Sequence, residues 1–213
     1  MEQIENNDLL RVIKQCDSET IRAMLERGMD TNMRILGAYL KSDKERHDAQ
    51  KLLTDDAGET LLMIASTYGC MPIVQELVAA GADINLFSTS TTSALVNATV
   101  NHHKAIVEFL LENGASINGA AQGGDTALIA AVCAESHEMV KLLLEKGANP
   151  DVRASDGATA LMLAIESKVD DIAEMLIDAG ANIAWGDDFG NSALSLARKY
   201  RRIRIVYLLE SLS

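Results

Sequence analysis

His102 and His103 are the one histidine pair in the chain, and an imidazole pair invites a metal. Neighbouring residues on a helix point about 100° apart, so the two rings cannot readily share one ion. Cys133 is a candidate nucleophile, but no histidine falls on an equivalent neighbouring position to act as its base. Cys16, Cys70 and Cys133 are odd in number and far apart. They show neither metal spacing nor a disulfide framework, which fits a reducing, cytoplasmic setting. Gly123-Gly124 lacks the Gly-Lys-Ser/Thr that would make it a phosphate loop. The many acidic residues lack the spaced oxygens of a calcium loop. The expectation is a chain with no catalytic residues, no metal and no cofactor, hence not an enzyme.

The residues with chemistry are placed by a repeat. Gly58, Gly124, Gly157 and Gly190 share a step of 33, with Thr91 in the remaining slot. Gly81, Gly114, Gly147 and Gly180 form a second series, each followed by Ala. Thr60, Ser93, Thr126, Thr159 and Ser192 form a third; Leu62, Leu95, Leu128, Leu161 and Leu194 a fourth; Ala65, Ala98, Ala131, Ala164 and Ala197 a fifth. Self-similarity at this period means stacked supersecondary units. In one copy, Thr126 suits an N-cap ahead of Leu128, Ile129 and Ala131. Glu135 and Ser136 break that short helix. Met139, Val140, Leu142, Leu143 and Leu144 then give a second helix at helical spacing. Gly147 ends it where a left-handed backbone is needed. Two such helices cannot bury their apolar sides alone, so each copy depends on its neighbours.

The pattern Gly58-Glu59-Thr60-Leu61-Leu62-Met63-Ile64-Ala65, followed by Gly81-Ala82-Asp83-Ile84-Asn85 and Gly114-Ala115-Ser116-Ile117-Asn118, resembles the ankyrin repeat. The resemblance covers roughly residues 55–213. It departs from the pattern at the usual Pro (Leu61, Ala94, Ala127, Ala160, Ala193) and His (Met63, Val96, Ile129, Met162, Ser195). The usual inter-helix Gly survives as Gly69, with His102, Glu135, Lys168 and Arg201 in its place elsewhere. The resemblance implies an all-α solenoid of helix-turn-helix units with protruding hairpin-like turns. Residues 1–34 read as a degenerate N-terminal cap, 35–54 as a helical insertion, 55–87, 88–120, 121–153 and 154–186 as full repeats, and 187–213 as a C-terminal cap. In the cap, Ser18 is a candidate N-cap for a second helix. The insertion carries an amphipathic run from Ser42 through Leu53, with His47 solvated.

The resemblance also implies a binding surface. Turn tips and the exposed side of first helices form a concave groove in such stacks. The tips carry Asp55, Asp56, Glu59, Asp125, Asp156, Asp187 and Asp188, with Phe87, Trp185 and Phe189. The first helices add Tyr68, Asn101, Glu166 and Tyr200. Aromatic anchors among carboxylates suit a partner protein with a basic or amphipathic surface. The partner-binding candidates are therefore Asp56, Glu59, Tyr68, Phe87, Asn101, Asp125, Asp156, Glu166, Trp185, Asp188, Phe189 and Tyr200. The implied role is protein–protein interaction, as an adaptor or as a stoichiometric, immunity-type blocker of a basic enzyme or toxin.

Composition agrees. Of 213 residues, 48% are hydrophobic and 4% aromatic, which supports a Leu, Ile, Val and Ala core. The net charge of −12 disfavours nucleic acid. Residues 187–213 hold five bases against three acids, a local +2. No run reaches the roughly 18 apolar residues of a membrane span, and the acidic start (Glu2, Glu5, Asp8) does not read as a signal peptide.

Overall fold

The computed structural model describes residues 6–35, 58–89, 91–120 and 125–212. Among them are twelve helices and two short strands. The helices are α1 (Asn6–Lys14), α2 (Ser18–Glu26), α3 (Leu61–Tyr68), α4 (Met71–Ala79), α5 (Ala94–Val100), α6 (Lys104–Glu112), α7 (Ala127–Cys133), α8 (His137–Glu145), α9 (Ala160–Glu166), α10 (Asp170–Asp178), α11 (Ala193–Lys199) and α12 (Ile203–Ser211). The strands are β1 (Arg34–Ile35) and β2 (Glu59–Thr60). The chain divides into two compact units, Met1–Ser116 and Ile117–Ser213.

Helices of seven to nine residues are marginal in isolation, and here packing supports them. In the first unit α3 lies against α1 and α5, and α4 against α2 and α6. In the second unit α9 lies against α7 and α11, and α10 against α8 and α12. First helices thus pack on first helices and second on second. The buried residues repeat in the same way: Leu62 and Ile73, Leu128 and Met139, Leu161 and Ile172.

Five first helices, α3, α5, α7, α9 and α11, start at a hydroxyl N-cap. Thr60, Ser93, Thr126, Thr159 and Ser192 each accept from the backbone N–H three residues on. The cap of α2 is Asp17, not Ser18: its carboxylate accepts from Thr20 N at 3.1 Å. A carboxylate one residue earlier takes the orphan amide and leaves Ser18 as the first helical residue.

The turn between the paired helices is left-handed in every copy. Cys16, His102, Glu135, Lys168 and Arg201 have φ of 52–62°, beside Gly69 at 73°. Non-glycine residues there carry a steric cost of about 1–2 kcal/mol each. Gly69 is needed for a further reason: a Cβ on it would lie 2.6 Å from the His103 ring.

The copies are also tied by polar rungs. Asn32 Oδ1 accepts from Asp83 N and Asn85 Oδ1 from Ser116 N, both at 2.8 Å. In the second unit Asn118 Oδ1 accepts from Asn149 N at 2.8 Å and Asp151 Oδ1 from Asn182 N at 2.7 Å. Hairpins close by short antiparallel pairings, Arg153 with Thr159 and Gly186 with Ser192. β1 and β2 make the same closure, Arg34 with Thr60. Arg34 and Thr60 are twenty residues further apart in sequence than Arg153 and Thr159, so the extra segment enters inside a hairpin turn. The helix expected from Ser42 to Leu53, with His47, lies outside the described residues, as does most of the 35–54 insertion.

Candidate functional site

The sequence expected unpaired cysteines, and this is corrected. Cys16 and Cys70 form a disulfide with Cα atoms 5.3 Å apart, and only Cys133 is free. Cys16 occupies the left-handed turn between α1 and α2, and Cys70 the turn between α3 and α4, so the packing of α1 on α3 brings the sulfurs together. Cys133 is exposed at the end of α7. Partial desolvation of the sulfur pushes its thiol up, and the Asp125 charge adds to the shift, so it is not an activated thiolate. Among the described residues no group of three His, Cys, Asp or Glu side chains could hold a metal, and no helix is long and apolar enough to cross a membrane. His103 Nε2 lies 3.0 Å from Thr67 O, which accounts for one of the histidines.

The tip candidates are partly consumed by the fold. In the first unit Glu59 accepts from Asn97 Nδ2 at 3.0 Å, and Asn101 donates to Asn97 O at 2.8 Å. Lys14 sits 5.4 Å over the Tyr68 ring. Phe87 is half-buried, and its carbonyl accepts from Arg34, which also bonds Gly58 O, both at 2.9 Å. Asp56 and Asp55 lie outside the described residues, as does Gly123-Gly124.

In the second unit the candidates come together. Arg153 donates to Gly157 O at 2.9 Å and to Gly186 O at 2.8 Å, reaches Asp188 at 3.5 Å and lies 5.8 Å over the Trp185 ring. The sequence reading missed this arginine. Arg34 makes the same two-carbonyl clamp at the same register position three repeats earlier in the array, and that shared register was its available signal. Asp188 N donates to Asp156 O at 3.1 Å, and Asp156 Oδ1 accepts from Ala158 N. Adjacent tips are therefore joined. Tyr200 OH donates to Glu166 at 3.3 Å, with Lys199 5.1 Å over the Tyr200 ring.

Two groups stay available. Asp125 faces solvent, yet partial shielding raises its pKa and Asp156 adds like charge. Phe189 is 77% exposed. Its backbone is fixed: Asp187 Oδ1 accepts from Phe189 N and Asn191 N, and the Asn191 amide holds the Asp187 carboxyl below its usual range. The turn is rigid and its side chain is not packed away.

Hydroxyl-capped helix pairs at a 33-residue step, left-handed inter-helix turns and Asx rungs between hairpins are now joined by one comparison. The family model for ankyrin repeats matches residues 9–121, 62–154, 117–187 and 147–211. The chain belongs to the ankyrin-repeat family. Ankyrin repeats generally serve as protein–protein interaction modules and are typically not enzymes. No curated protein matches the chain.

Proposed function

We propose that this ankyrin chain binds a partner protein with a basic or amphipathic surface through the hairpin tips of its second unit. The observation that carries the reading is Phe189, an exposed aromatic on a turn its own Asp187 and Asn191 hold in place. An anchor fixed before contact loses little ordering entropy on binding. Asp156, joined to the Phe189 tip through Asp188 N, and Asp125, which feels the Asp156 charge, supply negative charge on the preceding tips. Asp188 and Trp185, committed to Arg153, serve as the rigid base. Glu166 and Tyr200 extend the surface along first helices. Glu59, Tyr68, Phe87 and Asn101 are the corresponding candidates of the first unit.

The test is affinity capture with the wild-type chain and with Phe189→Ala and Asp156→Lys variants, at low and high salt. Each variant is expected to weaken capture at least tenfold with an unchanged helical signal, and the charge contribution to fade as salt screens it. Equal capture by both variants rejects the tip as the binding site. A one-to-one inhibition assay on the captured protein separates an adaptor from a blocker of a basic enzyme or toxin.

The cytoplasmic location expected from the cysteine count rested on unpaired thiols. The Cys16–Cys70 bond suits an oxidising compartment instead, and alkylation of the chain as isolated from its source, giving one adduct rather than three, is the check.

A further inference from the structure

We propose that Asn118 is a site of spontaneous modification, where the chain's own backbone expels the side-chain ammonia and leaves aspartate or isoaspartate behind. The Asx rungs are held by Asn32, Asn85, Asn118 and Asp151. The residues that follow them are Met33, Leu86, Gly119 and Val152. A side chain on the following residue screens its backbone nitrogen, and a β-branched one such as Val152 is the stiffest screen. Gly119 has none, so its nitrogen is open to the Asn118 side chain. Asn118 is exposed, so water has access.

The reaction needs no reagent besides water. Gly119 N attacks Asn118 Cγ, and the new N–Cγ bond closes a succinimide ring. The Cγ–Nδ2 bond breaks, and Nδ2 leaves as ammonia with the proton that Gly119 N gives up. Water then opens the ring at either carbonyl, giving aspartate or isoaspartate. The rung assists the first step. Asn149 N donates to Asn118 Oδ1 at 2.8 Å, and a donor fixed there stabilises the negative charge that gathers on Oδ1 during the attack.

The sequence offers two other pairs of this kind, and the fold holds both back. At Asn113-Gly114, Gly114 N donates to Leu111 O at 3.2 Å and Asn113 Nδ2 to Phe109 O at 2.8 Å. Gly114 O also accepts from Asn85 Nδ2 at 3.1 Å. At Asp156-Gly157, Gly157 N donates to Ala154 O at 3.0 Å, and the group to be attacked is a carboxylate. Among the described residues Gly119 N donates to no such carbonyl. The two products at Asn118 differ in what they do to the rung. Aspartate keeps it, as Asp151 shows in the next copy by accepting from Asn182 N at 2.7 Å. Isoaspartate sends the backbone through the former side chain, and Asn149 N loses its acceptor.

Peptide mapping by mass spectrometry tests this on the full-length folded chain held at mildly alkaline pH, with a parallel sample in urea. In the folded chain, loss of ammonia at Asn118 should run about fivefold or more ahead of that at Asn113, because only Gly114 N must first give up a backbone hydrogen bond. In urea the two rates should be similar. Gly119→Ala should slow the loss at Asn118 alone, with circular dichroism checking its fold. Exchange of the Asn149 amide proton, read by NMR, should stay slow in an Asn118→Asp variant. It should become about tenfold faster in chains carrying isoaspartate, separated by chromatography. Loss at Asn118 no faster than at Asn113 in the folded chain, or an Asn149 amide equally protected in the isoaspartate form, overturns the proposal.

Discussion

Reducing the Cys16–Cys70 bond should destabilise the first unit and leave its native packing in place. The bond spans 54 residues. Closing a loop of that length costs the unfolded chain about 4 kcal/mol of entropy, and the crosslink removes that freedom in advance. On the native side little changes, because Leu9, Ile13 and Ile21 remain buried beneath the bond and Arg22 still pairs with Glu76. The loss should therefore appear on unfolding, as a urea midpoint lower by roughly 2 M at a slope of about 2 kcal/mol per molar. Hydrogen exchange read by mass spectrometry should show faster opening of α1 to α4 after reduction. Trp185, the sole tryptophan, sits in the second unit and serves as an internal fluorescence control. A Cys16→Ser, Cys70→Ala variant should match the reduced chain. Oxidised and reduced chains with the same midpoint and the same exchange in α1 to α4 would refute the reasoning.

Lys168→Gly, relieving a φ of 62°, should raise stability by about 0.5–1 kcal/mol in thermal melts once the glycine's own chain entropy is counted. Gly69→Ala should cost about 2 kcal/mol, with part recovered in the His103→Ala background that removes the 2.6 Å clash. Arg153→Lys cannot hold Gly157 O and Gly186 O together; a loss of about 1–2 kcal/mol and a shifted Trp185 emission are expected. The Asp125 carboxyl holds its proton to higher pH in the folded chain than in the unfolded one. Its ionisation therefore destabilises at neutral pH, and the effect vanishes below the ordinary carboxylate range. Asp125→Asn should stabilise at pH 7 and lose that advantage on acidification, measured by urea midpoints across pH.

What the sequence disclosed was whatever depends on one residue and its own helix. Thr126 announces a cap because a hydroxyl before an apolar run has one good use, and Gly147 announces a helix end for an equally local reason. What it hid depends on two copies at once. Arg153 looks like a solvated charge until the next hairpin supplies Gly186 O and Asp188. The tip acids read either as partner contacts or as acceptors for turn amides, and Asp187 and Asp156 do hold turn amides. The disulfide was obscured by the twenty-residue insertion. Allowing for it, Cys16 aligns with Gly69, next to Cys70, so the two cysteines fall at adjacent turn positions of neighbouring copies. The left-handed turns were half visible: the missing glycines at 102, 135, 168 and 201 read as departures, whereas the backbone kept the glycine conformation without the glycine.

The Asx rungs carry one last implication. Every rung is addressed to the amide 31 positions downstream, or 51 where the insertion intervenes, never to a fixed place in the molecule. Grammar of that sort is relative. A duplicated 33-residue module spliced after Arg153 would donate its amide to the Asx oxygen below and offer its own Asx oxygen to the amide above without any other residue being rewritten. Lineages can therefore lengthen or trim such a chain by copying, with the cost of each event confined to the two junctions it creates.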